Sequence, residues 1–222
     1  MLPRVLLGTA DIPGGGQLRL FQRGDEFSIM LAANELMNSR LSGSEDALAR
    51  LGCAPLSGRQ RAQVLIGGLG MGFTLRAALA ELPATAGVVV AELVPEVSDW
   101  ARGPMAPVFG GCLADPRVQI EIADVRTLIR AQSGRLDAIL LDVDNGPDGL
   151  TAEANDSLYS RRGLAEAHRA LTQGGVLAVW SAHPDDAFRV RFARSGFIVA
   201  EHRVRAHGKR GAKHVIWIGT KT

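Results

Sequence analysis

The sequence of 222 residues is poor in the residues that staple or mark a chain: two cysteines, one tyrosine and an aromatic share of 5%. Cys53 and Cys112 form no CxxC pair and stand in no Cys/His cluster at ligand spacing. That pattern argues against a structural zinc site, so no metal is expected, and it fits a reducing compartment. No apolar run approaches the ~20 residues of a membrane span. The opening MLPRVLLGTADIPGGG has a short apolar patch without the apolar length of a signal peptide, so a cytoplasmic protein is expected. An excess of one charge is also missing: 25 lysines and arginines against 23 acids leave a net +2, which singles out no class of partner. Ser181 lacks a GxSxG setting, so hydrolase chemistry has no support.

What is present is ordinary for a globular chain, with 46% hydrophobic and 22% charged residues. The length suits one α/β domain with a small appendage. Such a chain buries roughly 70% of its unfolded surface and needs no staple. Charge is uneven in one place, HRVRAHGKRGAKH (202–214), where Arg203, Arg205, Lys209, Arg210 and Lys213 crowd together. A solvated hairpin loop is the expected reading, and an RNA- or anion-facing patch is the alternative.

The first fifty residues differ from the rest. In QLRLFQRGDEFSIML (17–31), Leu18 and Leu20, then Phe27, Ile29 and Leu31, recur at period two on either side of RGDE, a β-hairpin signal. SGSEDALARLG (42–52) reads as a short helix with a Ser cap and first-turn acids. Residues 1–58 are therefore expected to form a hairpin and helix, and 59–222 a Rossmann-like domain. From residue 64, strand and helix alternate. VLIGG, GVVVAEL, VQIEIAD, LDAILLDV and GVLAVWSA are separated by FTLRAALAEL, PEVSDWAR, VRTLIRAQ and RRGLAEAHRAL. After the helical DDAFRVRFARSG, two further strands, FIVAEHRVR and HVIWIGTK, have only a loop between them. Val/Ile/Leu-rich strands separated by helices predict an α/β fold with a mostly parallel sheet covered on both faces. Seven strands with the last one antiparallel resemble the class I methyltransferase sheet.

In such sheets ligands bind beyond the carboxyl ends of the strands. After the first lies GGLGMG, in which Gly68, Leu69, Gly70 and Gly72 form a turn that brings a ligand to the backbone at the start of a helix. Tight strand–helix packing is the alternative. The NAD pattern GxGxxG fails, because Phe73 stands at its third glycine. After the second strand, Glu92 is placed to accept the two hydroxyls of a ribose, a solvated strand-end acid being the alternative, whereas Glu96 reads as an ordinary first-turn acid. After the third, Asp124 either accepts from an adenine amino group or caps the helix beginning at Val125. After the fourth, LLDVDNGPDG brings Asp142 and Asp144 to the cleft. Acids there are costly unless they bind something, and they would orient or deprotonate an amine or counter a sulfonium. Turn chemistry is the alternative for both Asp142 and Asp144. His168, His183, Trp180 and Tyr159 read as structural or as pocket wall.

VLIGGLGMG, VVVAEL, IEIADV, LDAILLDVDNGP and SLYSRRGLAEAHRALTQGGVLAVWSA together resemble the spermidine synthase family, the polyamine aminopropyltransferases built on the methyltransferase fold. The resemblance runs from about Val64 to His183. It implies a transferase binding S-adenosylmethionine or its decarboxylated form, and the products S-adenosylhomocysteine or methylthioadenosine. By that resemblance Gly68, Leu69, Gly70, Gly72, Glu92, Asp124, Val125 and Asp142 hold the nucleoside, and Asp142 with Asp144 is catalytic. A small amine is the implied acceptor and a homodimer the implied assembly, with nucleic acid and membrane not involved. The departures concern acids. Asn145 stands where the family carries an acid three residues after its catalytic aspartate, and Met71 where its glycine motif carries an aspartate. DEF (25–27) continues as Ser28, Ile29, Met30 and Leu31 rather than with the family's tyrosine, histidine and glutamate, and WSAHPD replaces a pocket glutamine. Methyl transfer to another acceptor and a non-catalytic nucleoside-binding module are the competing functions.

Overall fold

The computed structural model describes residues 2–143, 146–147, 157–207 and 210–222. Four antiparallel strands, β1 (Val5–Asp11), β2 (Gln17–Arg23), β3 (Glu26–Leu31) and β4 (Asn34–Asn38), pair in chain order. The alternation at 17–31 is the β2–β3 hairpin, in which Leu20 faces Ile29 and both are fully buried. The flanking strands were not legible by that rule. β1 carries Val5, Leu6 and Leu7 exposed and in a row, and β4 is short and polar.

Helix α1 (Gly43–Cys53) follows. Ser42 stands at its N-cap position, yet the Ser42 hydroxyl bonds the Asp46 carboxylate instead of a backbone amide. The helix lies on the large sheet, so closely that a Cβ on Gly52 would fall 2.3 Å from Leu140 Cδ2.

The large sheet comprises β5 (Gln63–Gly67), β6 (Gly87–Glu92), β7 (Val118–Ile122), β8 (Leu136–Leu141), β9 (Leu171–Ser181), β10 (Phe197–His207) and β11 (Arg210–Lys221). Their order is β10-β11-β9-β8-β5-β6-β7; β11 pairs antiparallel with both β10 and β9, and the remaining pairs are parallel. The connecting helices are α2 (Phe73–Glu81), α3 (Pro95–Arg102), α4 (Ala106–Phe109), α5 (Val125–Ala131), α6 (Arg161–Ala170) and α7 (Asp186–Ala193).

Side chains of one strand point alternately to opposite faces. Val64 and Ile66 therefore join a core with Leu48 of α1, Leu75 of α2 and Val97 of α3, while Leu65 joins Ile129 of α5, Leu164 of α6 and Phe188 of α7. This double burial explains why the strands read as continuous apolar runs. The second core gathers five of the eleven aromatics, Tyr159, Phe188, Phe192, Phe197 and Trp217: Phe188 sits 4.9 Å edge-on from Trp217 and 5.3 Å from Phe192. The chain leaves β5 in one direction for β6 and β7 and returns past it to β8, so the ends of β5 and β8 form the topological switch point, where α/β sheets bind ligands. Because β11 is antiparallel, its beginning reaches the same edge as the strand ends: Val215 pairs with Ser181, the last residue of β9.

Candidate active site

The glycine turn begins where β5 stops. Gly68 has φ +89°, and a Cβ there would lie 2.5 Å from the Asp142 carbonyl oxygen. The backbone of the turn is thus pressed against the end of β8, and Asp142 N donates back to Gly67 O at 3.0 Å. Gly72 (φ +74°) opens α2 and faces the Phe109 ring, which a Cβ would approach to 2.4 Å. Both glycines are required by close approach as well as by φ. Met37 of β4 reaches over the turn, its sulfur 3.2 Å from where a Cβ on Gly70 would sit.

Glu92 ends β6 and is 8% exposed. Its Oε2 accepts from Leu69 N at 3.0 Å and its Oε1 from Val94 N at 2.9 Å. The carboxylate therefore pins the glycine turn to the second strand. Burial raises its pKa, and the amides of Val94, Leu69, Leu93 and Gly70 oppose that rise. Backbone amides thus converge on both carboxylate oxygens, with those of Leu69 and Val94 the well-formed bonds. Asp124 is exposed, and its Oδ1 accepts from Arg126 N at 2.8 Å as the N-cap of α5. Val125 beneath it is buried.

Asp142 lies one residue beyond β8. Thr74 Oγ1, in the first turn of α2, donates to its Oδ2 at 2.6 Å. Burial first, and the charge of Glu45 second, push the Asp142 carboxyl up from 3.8 to about 7, against the hydrogen bond from Thr74. Glu45 is raised as well, chiefly by burial. The facing acid thus comes from α1, where the sequence shows only a first-turn glutamate. Asp144 and Asn145 lie outside the described residues.

Three further side chains gather at this edge. Ser44 is 1% exposed, and its Oγ donates to Glu45 Oε2 at 2.6 Å. His214, next to the first β11 residue paired with β9, places Nδ1 2.9 Å from Ser44 Oγ. Trp180 packs its ring 4.7 Å edge-on from the His214 imidazole. None of Thr74, Ser44, Glu45 and His214 carries a motif, and only strand order brings them together.

Other expected features lie elsewhere. His168 packs on Phe197 at 5.1 Å, and Tyr159 is buried against Phe188. Arg203 and Arg205 of β10 and Lys213 of β11 are exposed on the hairpin at the end of the chain. A cleft of about 830 Å³ between α5 and α6 is lined by Arg130, Arg162, Arg169 and Glu166. There Arg126 and Arg162 bond Glu166 at 2.8 and 3.2 Å. Among the described residues no helix is long and apolar enough to cross a membrane, and no group of three metal-ligating side chains occurs.

No protein-family model matches the chain. It is similar to the polyamine aminopropyltransferase of Nitrosomonas europaea, 35% identical over 97 residues, which is 44% of this chain and 28% of that protein. It is also similar to polyamine aminopropyltransferase 2 of Pseudomonas aeruginosa, 32% identical over 139 residues, or 60% of this chain and 38% of that protein. The matches thus span less than two fifths of those relatives. Among solved structures, the spermidine synthase of Thermotoga maritima superposes with a TM-score of 0.76 at 18% identity, over 98% of this chain and 72% of that one. A spermidine synthase in complex with the transition-state analogue AdoDATO gives 0.76 at 17% identity, over 98% and 72%. The fold is that of the spermidine synthases, as the resemblance read in the sequence implies.

Proposed function

We propose that this chain is an aminopropyltransferase that takes the aminopropyl group of decarboxylated S-adenosylmethionine and passes it to a small amine. The observation that carries the reading is the pair of mutually repelling carboxyls, Asp142 and Glu45, at the end of β8. A primary ammonium relieves that repulsion. The carboxylate of S-adenosylmethionine itself would add to it, and this favours the decarboxylated donor over methyl transfer. The similarity to polyamine aminopropyltransferases supports the same conclusion.

In this reading the turn Gly68, Leu69, Gly70 and Gly72 takes the nucleoside, Glu92 its ribose, and Asp124 with Val125 its adenine. Asp142, held by Thr74, orients the attacking amine. Asp144 follows it by two residues and is assigned to the same amine. The amine nitrogen attacks the methylene carbon beside the sulfonium. The C–N bond forms as the C–S bond breaks, the electron pair stays on sulfur, and methylthioadenosine leaves. The sulfonium is already a good leaving group, so alignment supplies much of the acceleration. Glu45 supplies the second acid that Asn145 does not. A homodimer through the N-terminal sheet belongs to the same proposal, because β1 exposes Val5, Leu6 and Leu7.

Calorimetric titration with methylthioadenosine, S-adenosylhomocysteine and NAD tests the reading. Preference for methylthioadenosine is expected. Preference for S-adenosylhomocysteine would make the chain a methyltransferase, and binding of NAD alone would overturn the nucleoside assignment.

A further inference from the structure

The acid pair has an outlet. Ser44 Oγ lies 2.6 Å from Glu45 Oε2 and 2.9 Å from His214 Nδ1. A hydroxyl has one proton, so it donates to only one of these at a time. In one arrangement His214 Nδ1–H donates to Ser44, whose proton goes to the Glu45 carboxylate. In the other a protonated Glu45 donates to Ser44, whose proton goes to Nδ1. An imidazolium with an ionised Glu45 and a neutral imidazole with a protonated Glu45 hold equal numbers of protons. Reversing the chain of hydrogen bonds therefore moves one proton from Glu45 to His214.

We propose that Ser44 and His214 form the path by which the acceptor's proton leaves the acid pair. This rests on the aminopropyl-transfer reading. An amine must lose a proton to attack, and a desolvated carboxyl pair that took it up without passing it on would hold its charge neutralised. The ammonium gives its proton to Glu45, and the free amine forms the C–N bond while sulfur keeps the C–S pair. Glu45 then gives its proton to Ser44 as Ser44 gives its own to His214 Nδ1. His214, half-buried at the sheet edge, releases the Nε2 proton to water, and exchange of its ring protons with water restores the Nε2–H tautomer before the next turnover.

The surroundings of His214 suit a receiver of protons. Ser44 and Glu45 face it from α1, and Asp142 acts through Glu45. From β9 and the loop after it come Trp180 and His183. Val204 pairs with it from β10, between the exposed Arg203 and Arg205, and Lys213 precedes it. Burial, and then the His183 charge, hold the imidazole below the usual histidine value. It is accordingly neutral and able to accept at neutral pH.

Two readouts on the full chain test the path. The first is 15N NMR of the His214 ring against pH in the parent, Glu45→Gln, Ser44→Ala and the double variant. Glu45→Gln is expected to lower the His214 midpoint, and Ser44→Ala to abolish that response. A midpoint indifferent to Glu45→Gln, or a response surviving in Ser44→Ala, overturns the path. The second is turnover with decarboxylated S-adenosylmethionine and a linear diamine. Ser44→Ala and His214→Gln are expected to lower kcat by roughly 10²-fold with methylthioadenosine affinity unchanged, and added imidazole to rescue His214→Gln. Unchanged kcat in both variants also overturns it. If the parent binds methylthioadenosine but transfers to no amine, the aminopropyl reading fails, and the NMR coupling alone decides the path.

Discussion

Thr74 and Asp142, 68 positions apart, share a 2.6 Å hydrogen bond that joins the first turn of α2 to the end of β8. The bond favours the ionised carboxylate against the burial that disfavours it. Thr74→Val keeps the shape of the buried side chain and removes the donor. The Asp142 carboxyl is expected to titrate higher than in the parent, read by 13C NMR of the carboxyl carbon, and the acid limb of the rate profile to move with it. A titration that stayed in place or fell would show that the hydroxyl does not hold the charge.

Asp142 also makes stability depend on pH. Its folded value, about 7, lies above the unfolded 3.8, so the folded state binds more protons between the two. The parent is expected to lose stability as pH rises through that window. Asp142→Asn removes the loss while leaving Thr74 an acceptor. Its advantage in urea denaturation should be absent below pH 3.8 and grow to a plateau above pH 7, with about 4 kcal/mol as the ceiling. Equal midpoints for parent and variant at alkaline pH would refute the raised value.

Glu92 serves the fold and the ligand at once. Glu92→Ala leaves the Leu69 and Val94 amides without their acceptor. A cost of about 1–3 kcal/mol per amide is expected, with methylthioadenosine affinity lost along with it. Denaturation and calorimetry on one preparation separate the two effects. Normal affinity in a destabilised variant would remove Glu92 from the ribose assignment.

Gly72→Ala forces an L side chain into φ +74° and against Phe109. A loss of at least ~1–2 kcal/mol is expected from the backbone alone, seen as a lower Tm. The exposed Gly110, also at positive φ but with nothing near its Cβ, provides the comparison. Equal losses at both positions would show that Phe109 contributes nothing.

The alternating and continuous apolar runs determined by themselves the β2–β3 hairpin, the parallel strands and the order of strand and helix. These are local consequences of which side chains a strand or helix can bury. That the glycine turn, Glu92, Asp124 and Asp142 stand at strand ends was legible because the apolar runs mark where each strand stops. The N-cap of α5 was legible as one of two readings for Asp124, and the structure shows the cap. What only the tertiary structure decided are relations between distant segments. β1 and β4 complete a sheet whose apolar pattern they do not carry. α1 leaves the N-terminal strands to pack on the large sheet, and with it Ser44 and Glu45 arrive at the end of β8. The antiparallel β11 brings His214 to the same edge. A sequence records each of these residues as an ordinary polar position. Their raised or lowered proton affinities arise from burial and facing charges, and both depend on strand order and helix docking rather than on spacing along the chain.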